Sequence, residues 1–138
     1  MRRRALWLLC PLPLLALAAC GGERVAIPPD DATPEEVVRA YTDALAAQDC
    51  ETAEEIASVM SDTWCGDVEM GAATVRPHVR GGGAGNPAQR YPEVVTVPVS
   101  IVVEDGDASL PAGETEWGYL LVRSSESDPW RVASEGVG

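Results

Sequence analysis

The apolar residues of this chain change period part-way along it, and that change limits the fold more than any other feature. Between residues 33 and 60 they recur every three or four positions: Val37, Val38, Tyr41, Ala44 and Leu45, then Ala53, Ile56, Ala57 and Met60. That spacing lines them along one face of a helix. From residue 91 they recur every second position. Val95, Val97, Val99, Ile101 and Val103 point one way, and Thr96, Pro98 and Ser100 point the other. That is strand spacing. Helices first and strands afterwards predict an α+β domain, with N-terminal helices packed on an antiparallel sheet.

Local signals place the elements. Thr33-Pro34-Glu35-Glu36 combines a capping threonine, proline at the first helical position and glutamate at the third, which predicts a helix to about residue 48. Asp49 then predicts the N-cap of a second helix over residues 50–60. Residues 115–123 and 130–137 read as two further strands, the first with Trp117, Tyr119 and Leu121 on one face. Pro98 lacks a backbone donor, which predicts an edge or a bulge there. Residues 66–90 are less defined: a short strand and an irregular helix both stay open over 68–76. The stretch Arg80-Gly81-Gly82-Gly83-Ala84-Gly85-Asn86-Pro87 reads as a mobile loop by composition. It lacks the Lys-Ser/Thr ending of a phosphate-binding loop.

The N-terminus carries a separate message. Arg2, Arg3 and Arg4 precede an uncharged run over residues 5–19, which ends in small residues just before Cys20. A basic start, a short apolar middle and a small-residue exit are the parts of a secretory signal peptide. The run is too short for a permanent span, and Pro11 and Pro13 interrupt it. Leu17-Ala18-Ala19-Cys20 resembles the lipobox of bacterial lipoproteins. The resemblance implies that residues 1–19 are a signal peptide and that the Cys20 thiol receives a diacylglycerol. Residues 20–32 then form the lipidated cysteine and a flexible tether, and 33–138 the domain. The protein is expected on the extracytoplasmic face of the cell membrane, held through the lipid on Cys20, since two or more acyl chains anchor stably.

After removal of residues 1–19, seven arginines stand against 22 acidic residues, a formal charge of −15 on a 119-residue chain. The length suits one domain. The charge excludes nucleic acid as a partner. Cys50 and Cys65 are the two cysteines left besides Cys20, and in an exported chain they predict one disulfide. No cofactor and no metal site are expected. His78, the one histidine, reads as a solvated loop residue. Asp105, Asp107, Ser109 and Glu116 match a calcium-loop spacing, but Leu110 stands where that loop needs glycine.

The opening helix, from Thr33-Pro34-Glu35-Glu36-Val37-Val38 to the capping Asp49, resembles the first helix of the nuclear transport factor 2-like superfamily. The ending, Trp117-Gly118-Tyr119-Leu120-Leu121-Val122-Arg123 and then Trp130-Arg131-Val132, resembles its last two strands. The resemblance implies a cone, a curved sheet wrapped around helices. Enzymes of that superfamily, such as ketosteroid isomerase and the SnoaL-like cyclases, set an acid and a tyrosine inside the cone. Carried to this chain, that implies Tyr41 and Tyr119 as donors with Asp43, Asp62 or Asp67 as the base. Tyr41 and Asp43 lie about 200° apart around a helix and cannot share a face. Tyr41, Trp117 and Tyr119 read first as core of a phenylalanine-free domain and only second as pocket lining.

The function expected from these features is a non-enzymatic, lipid-anchored envelope domain that binds an apolar small molecule or another envelope protein. The alternative is a small ketosteroid isomerase-like lipoprotein enzyme, which requires a buried Asp or Glu within reach of a Tyr. A structural spacer or assembly module is the third reading. Homodimerisation stays open.

Overall fold

Helix α1 (Pro34–Ala46) begins where its capping box is written. The Glu36 N–H donates to Thr33 Oγ1 at 3.3 Å, and the Thr33 N–H donates back to Glu36 Oε2 at 2.7 Å. Two helix-start donors are thereby satisfied. Replacing Thr33 with Ala is expected to cost about 1 kcal/mol, read as a lower denaturant midpoint at unchanged slope. An unchanged midpoint would show that the cap contributes nothing.

The computed structural model describes residues 24–58, 61, 64–106, 108 and 110–136. Residues 1–19, which read as a signal segment, lie outside them, as do Cys20, Met60, Asp62, Asp107 and Ser109.

Helix α2 (Cys50–Ile56) is capped by Asp49, as its sequence predicts, but it stops short of residue 60. Ala57 turns extended at ψ 155° and makes a parallel bridge to Val132, and the Ser58 N–H donates to the Val132 carbonyl at 2.7 Å. The residues after Ile56 pair with a strand instead of continuing the helix, because an open sheet edge offers them backbone partners there. A disulfide joins Cys50 to Cys65, with their Cα atoms 5.4 Å apart.

The sheet is antiparallel throughout. Strands β1 (Glu69–Val75), β2 (Val79–Arg80), β3 (Glu93–Asp105), β4 (Gly113–Arg123) and β5 (Arg131–Gly136) run in the spatial order β1-β3-β4-β5, with β2 also on β3. Strand β3 is therefore central, and Pro98 is not at an edge. The Pro98 carbonyl accepts from the Arg76 N–H at 2.9 Å. Since a strand residue's N–H and C=O face the same neighbour, the missing Pro98 donor faces the break between β1, which ends at Val75, and β2, which starts at Val79. The partner strand is interrupted where the proline has nothing to donate.

One sheet face carries the core. Val97, Val99, Ile101, Tyr119, Leu121 and Val132 pack there against Val38, Tyr41 and Leu45 of α1, each no more than 2 % exposed. The other face is half covered by the glycine stretch and a 3₁₀ turn (Pro87–Arg90), which bury Ala88, Leu120, Val122 and Ala133. Composition suggests a mobile loop here, but the structure packs it down. Thr96 Oγ1 donates to the Gly81 carbonyl at 2.8 Å, and Gln89 Nε2 donates to the Gly82 carbonyl at 3.1 Å. Gly82 has φ +117°, and a Cβ there would sit 2.0 Å from Thr96 Oγ1. Glycine is what allows so close an approach.

Residues 24–32 also depart from the expected flexible tether. The Val25 N–H donates to Asp49 Oδ2 at 2.9 Å, Arg24 pairs with Glu51, and Ala32 is buried. No helix among the described residues is long and apolar enough to cross a membrane.

Candidate functional site

The polar groups of interest meet in the core. Tyr41 comes from the buried stripe of α1, and Tyr119 from the inward-facing alternation of β4. Both are fully buried, and their rings meet edge-to-face at 5.4 Å between centroids. Trp117, two positions along the same strand face, packs edge-on against Trp64 at 5.2 Å. These three aromatics belong to the core, as their spacing suggests.

The carboxyl that joins them is Glu135, on β5. It pairs in register with Tyr119, while Ser134 pairs with Leu120 and Val132 with Leu121. Ala133 is the extra residue, a β-bulge. Strict alternation would set Glu135 on the opposite face from Val132, three positions away. The bulge absorbs one residue, so Val132 and Glu135 both face the helices. Ser61 completes the group.

Four atoms of this cluster are buried without a well-formed hydrogen bond among the described residues: Tyr41 Oη, Tyr119 Oη, Ser61 Oγ and Glu135 Oε1. Burial pushes the Glu135 carboxyl up to about 7, although the Trp117 indole and the Tyr41 hydroxyl favour its charged form. The Tyr41 hydroxyl lies near enough to both Ser61 and Glu135 to interact with them, though in neither case with well-formed hydrogen-bond geometry. Burial, and then the nearby Glu135 charge, raise the pKa of both tyrosines. They stay protonated donors at any physiological pH. The arrangement thus presents two phenol donors and a carboxyl that is partly protonated near neutrality. Such a set can hydrogen-bond a carbonyl or hydroxyl group, and it can exchange a proton with one.

The acids singled out from the sequence lie elsewhere. Asp43 is exposed on α1 and Asp67 is exposed after Cys65. Neither joins the tyrosines, because each is on the solvent side of its segment. Asp62 lies outside the described residues. Glu135 and Ser61 were not legible as site residues; only the bulge brings Glu135 inward, and no residue pattern announces it.

His78 is an exposed loop residue, as expected, and it also holds Glu35. Its backbone N–H and its ring Nδ1 both reach Glu35 Oε1 at 2.8 Å. Burial alone raises the Glu35 pKa, but the bonds from the His78 backbone and ring outweigh it and lower the value overall. Among the described residues no group of three or more His, Cys, Asp or Glu side chains is placed to hold a metal ion. An open recess of ≈ 230 Å³ lies on the outer sheet face, lined in part by Gly83, Thr96, Leu120 and Ser134, on the side of the sheet away from the Tyr41–Tyr119 pair.

No protein-family model, no curated protein and no solved structure matches this chain.

Proposed function

We propose that this protein is a lipid-anchored, extracytoplasmic envelope domain with a nuclear transport factor 2-like cone. It binds a small, mainly apolar molecule whose polar end meets Tyr41, Tyr119 and Glu135. One observation carries this reading: four buried polar atoms gathered at one point, none of them in a well-formed hydrogen bond among the described residues. Each such atom costs about 1–3 kcal/mol when nothing satisfies it. Scattered, they would read as packing faults; gathered against one carboxyl, they read as a site kept at the expense of stability. A ligand carbonyl or hydroxyl, with ordered water, satisfies them. Val97, Val99, Trp117 and Leu121 pack in the same core, so a ligand that reaches the polar group takes the place of part of that packing.

The near-neutral Glu135 favours a second reading, an acid–base enzyme. A general base works best when its pKa lies near the working pH, and the neighbouring phenols are oriented donors of the kind that stabilise a developing oxyanion. Binding and catalysis share the site, so one experiment separates them. The protein is extracted from its host's membranes and its native mass spectrum recorded. A bound small molecule is expected in the wild type and is expected to be lost in Glu135→Gln and Tyr119→Phe. A ligand that gains deuterium from heavy water in the wild type but not in Glu135→Gln selects the enzyme. A clean apo mass in the wild type contradicts both readings and leaves a protein partner or spacer role.

A further inference from the structure

The docking of residues 24–32 fixes more than the start of the domain. Arg24 is ion-paired with Glu51. The Val25 N–H is on Asp49, and Thr52 Oγ1 reaches back to the Val25 carbonyl at 3.5 Å. Val25 packs against the main core. Further along, Pro28 and Pro29 lie with Ile56, Pro129 and Trp130 around a small recess. The segment therefore starts at the N-terminal end of α2 and runs toward the β4–β5 turn. The start of α2 belongs to the end of the domain where Gln48, Asp67, Asp105 and Gly106 share a recess, beside the β3–β4 connection. The β4–β5 turn is the opposite end.

We infer that the anchored domain stands with its α1–α2 junction and β3–β4 connection toward the bilayer surface and its β4–β5 turn away from it. The inference rests on the lipid attachment proposed at Cys20. Only residues 21–23 separate that cysteine from Arg24. Four residue steps reach at most ~14 Å even when fully extended. Had residues 21–32 all been free, the domain could have rotated beneath its anchor. With the chain held from Arg24 onward, the anchor point is fixed at one end of the domain. The bilayer is thus the occupant facing Gln48, Asp67 and Asp105, and the turn over residues 124–129 is the end open to other envelope components.

The chain contains no lysine, which makes the test direct. Asp67→Lys and Ser127→Lys each introduce one lysine at an exposed position, near the inferred membrane end and far from it. Both full-length variants are treated, in intact membranes and after detergent extraction, with a bulky amine-reactive polyethylene glycol ester. The α-amino group of Cys20 is common to both and cancels. The expected result is labelling several-fold slower at Lys introduced at position 67 than at 127 in membranes, with the difference lost in detergent. Insertion of a long Gly-Ser spacer after Gly22 is expected to remove the protection as well. Equal labelling in membranes overturns the inference while leaving the lipid anchor standing. Fatty-acid labelling of the wild type, compared with Cys20→Ala, reads the anchor separately; if the wild type carries no lipid, the inference falls with its premise.

Discussion

Replacing Glu135 with Gln is expected to stabilise this domain at pH 8 by roughly 2–3 kcal/mol while changing little at pH 5. The sign follows from proton counting. Burial holds the Glu135 carboxyl at about 7 in the folded chain, against an ordinary value of 4.5. Between those values the folded protein keeps a proton that the unfolded chain has released. Stability therefore falls as pH rises through that window and is lowest above 7. A shift of this size corresponds to about 3 kcal/mol, trimmed because the residue keeps some exposure. Gln mimics the protonated acid in shape and cannot ionise, so it lies within about 1 kcal/mol of the wild type at pH 5 and exceeds it by the full amount at pH 8. Chemical denaturation of both proteins at the two pH values checks this. An advantage for Gln of the same size at both values would mean that the carboxyl does not titrate inside the core. The carboxylates of Glu35, Glu36 and Asp49 are shifted the other way, downward, and act below pH 4.5. They do not enter the comparison. A residue whose replacement stabilises the fold is what a functional site predicts.

Removing the disulfide is expected to cost about as much. Cys50 and Cys65 are 15 residues apart, and the chain-entropy model gives ~3 kcal/mol for closing a loop of that length. The double Cys50→Ser, Cys65→Ser variant should melt roughly 10 °C lower. The effect is also expected to reach the site. Cys65 holds the neighbouring Trp64 against Trp117, whose indole faces Glu135. Loss of the bridge frees Trp64, and the tryptophan emission should move to longer wavelength before global unfolding. A variant with wild-type melting and emission would show that packing alone holds this segment.

The sequence carries the parts of the fold that depend on local chemistry. The Thr33–Glu36 box predicts α1 because cap and helix lie within one turn. The five-residue valine and isoleucine alternation predicts β3 because burial repeats every second residue. What it does not carry depends on neighbours distant in the chain. Helix α2 ends at Ile56 because Ala57 and Ser58 find Val132, and Pro98 is tolerated centrally because β1 and β2 break opposite it. The glycine stretch is packed because Thr96 and Leu120 lie beneath it. The two tyrosines of the site were legible as inward aromatics. The acid was not, because the alternation of Trp130, Val132 and Ser134 points Glu135 outward, and the bulge at Ala133 reverses that.

The most direct test is the titration of the Glu135 side-chain carboxyl by carbon-13 NMR, assigned through Glu135→Gln. A midpoint near 7 is the predicted result, and it would place an inward, desolvated acid beside Tyr41 and Tyr119 at physiological pH. A midpoint near 4.5 would mean that the carboxyl is solvated, that the polar cluster does not exist as described, and that the proposed site must be abandoned.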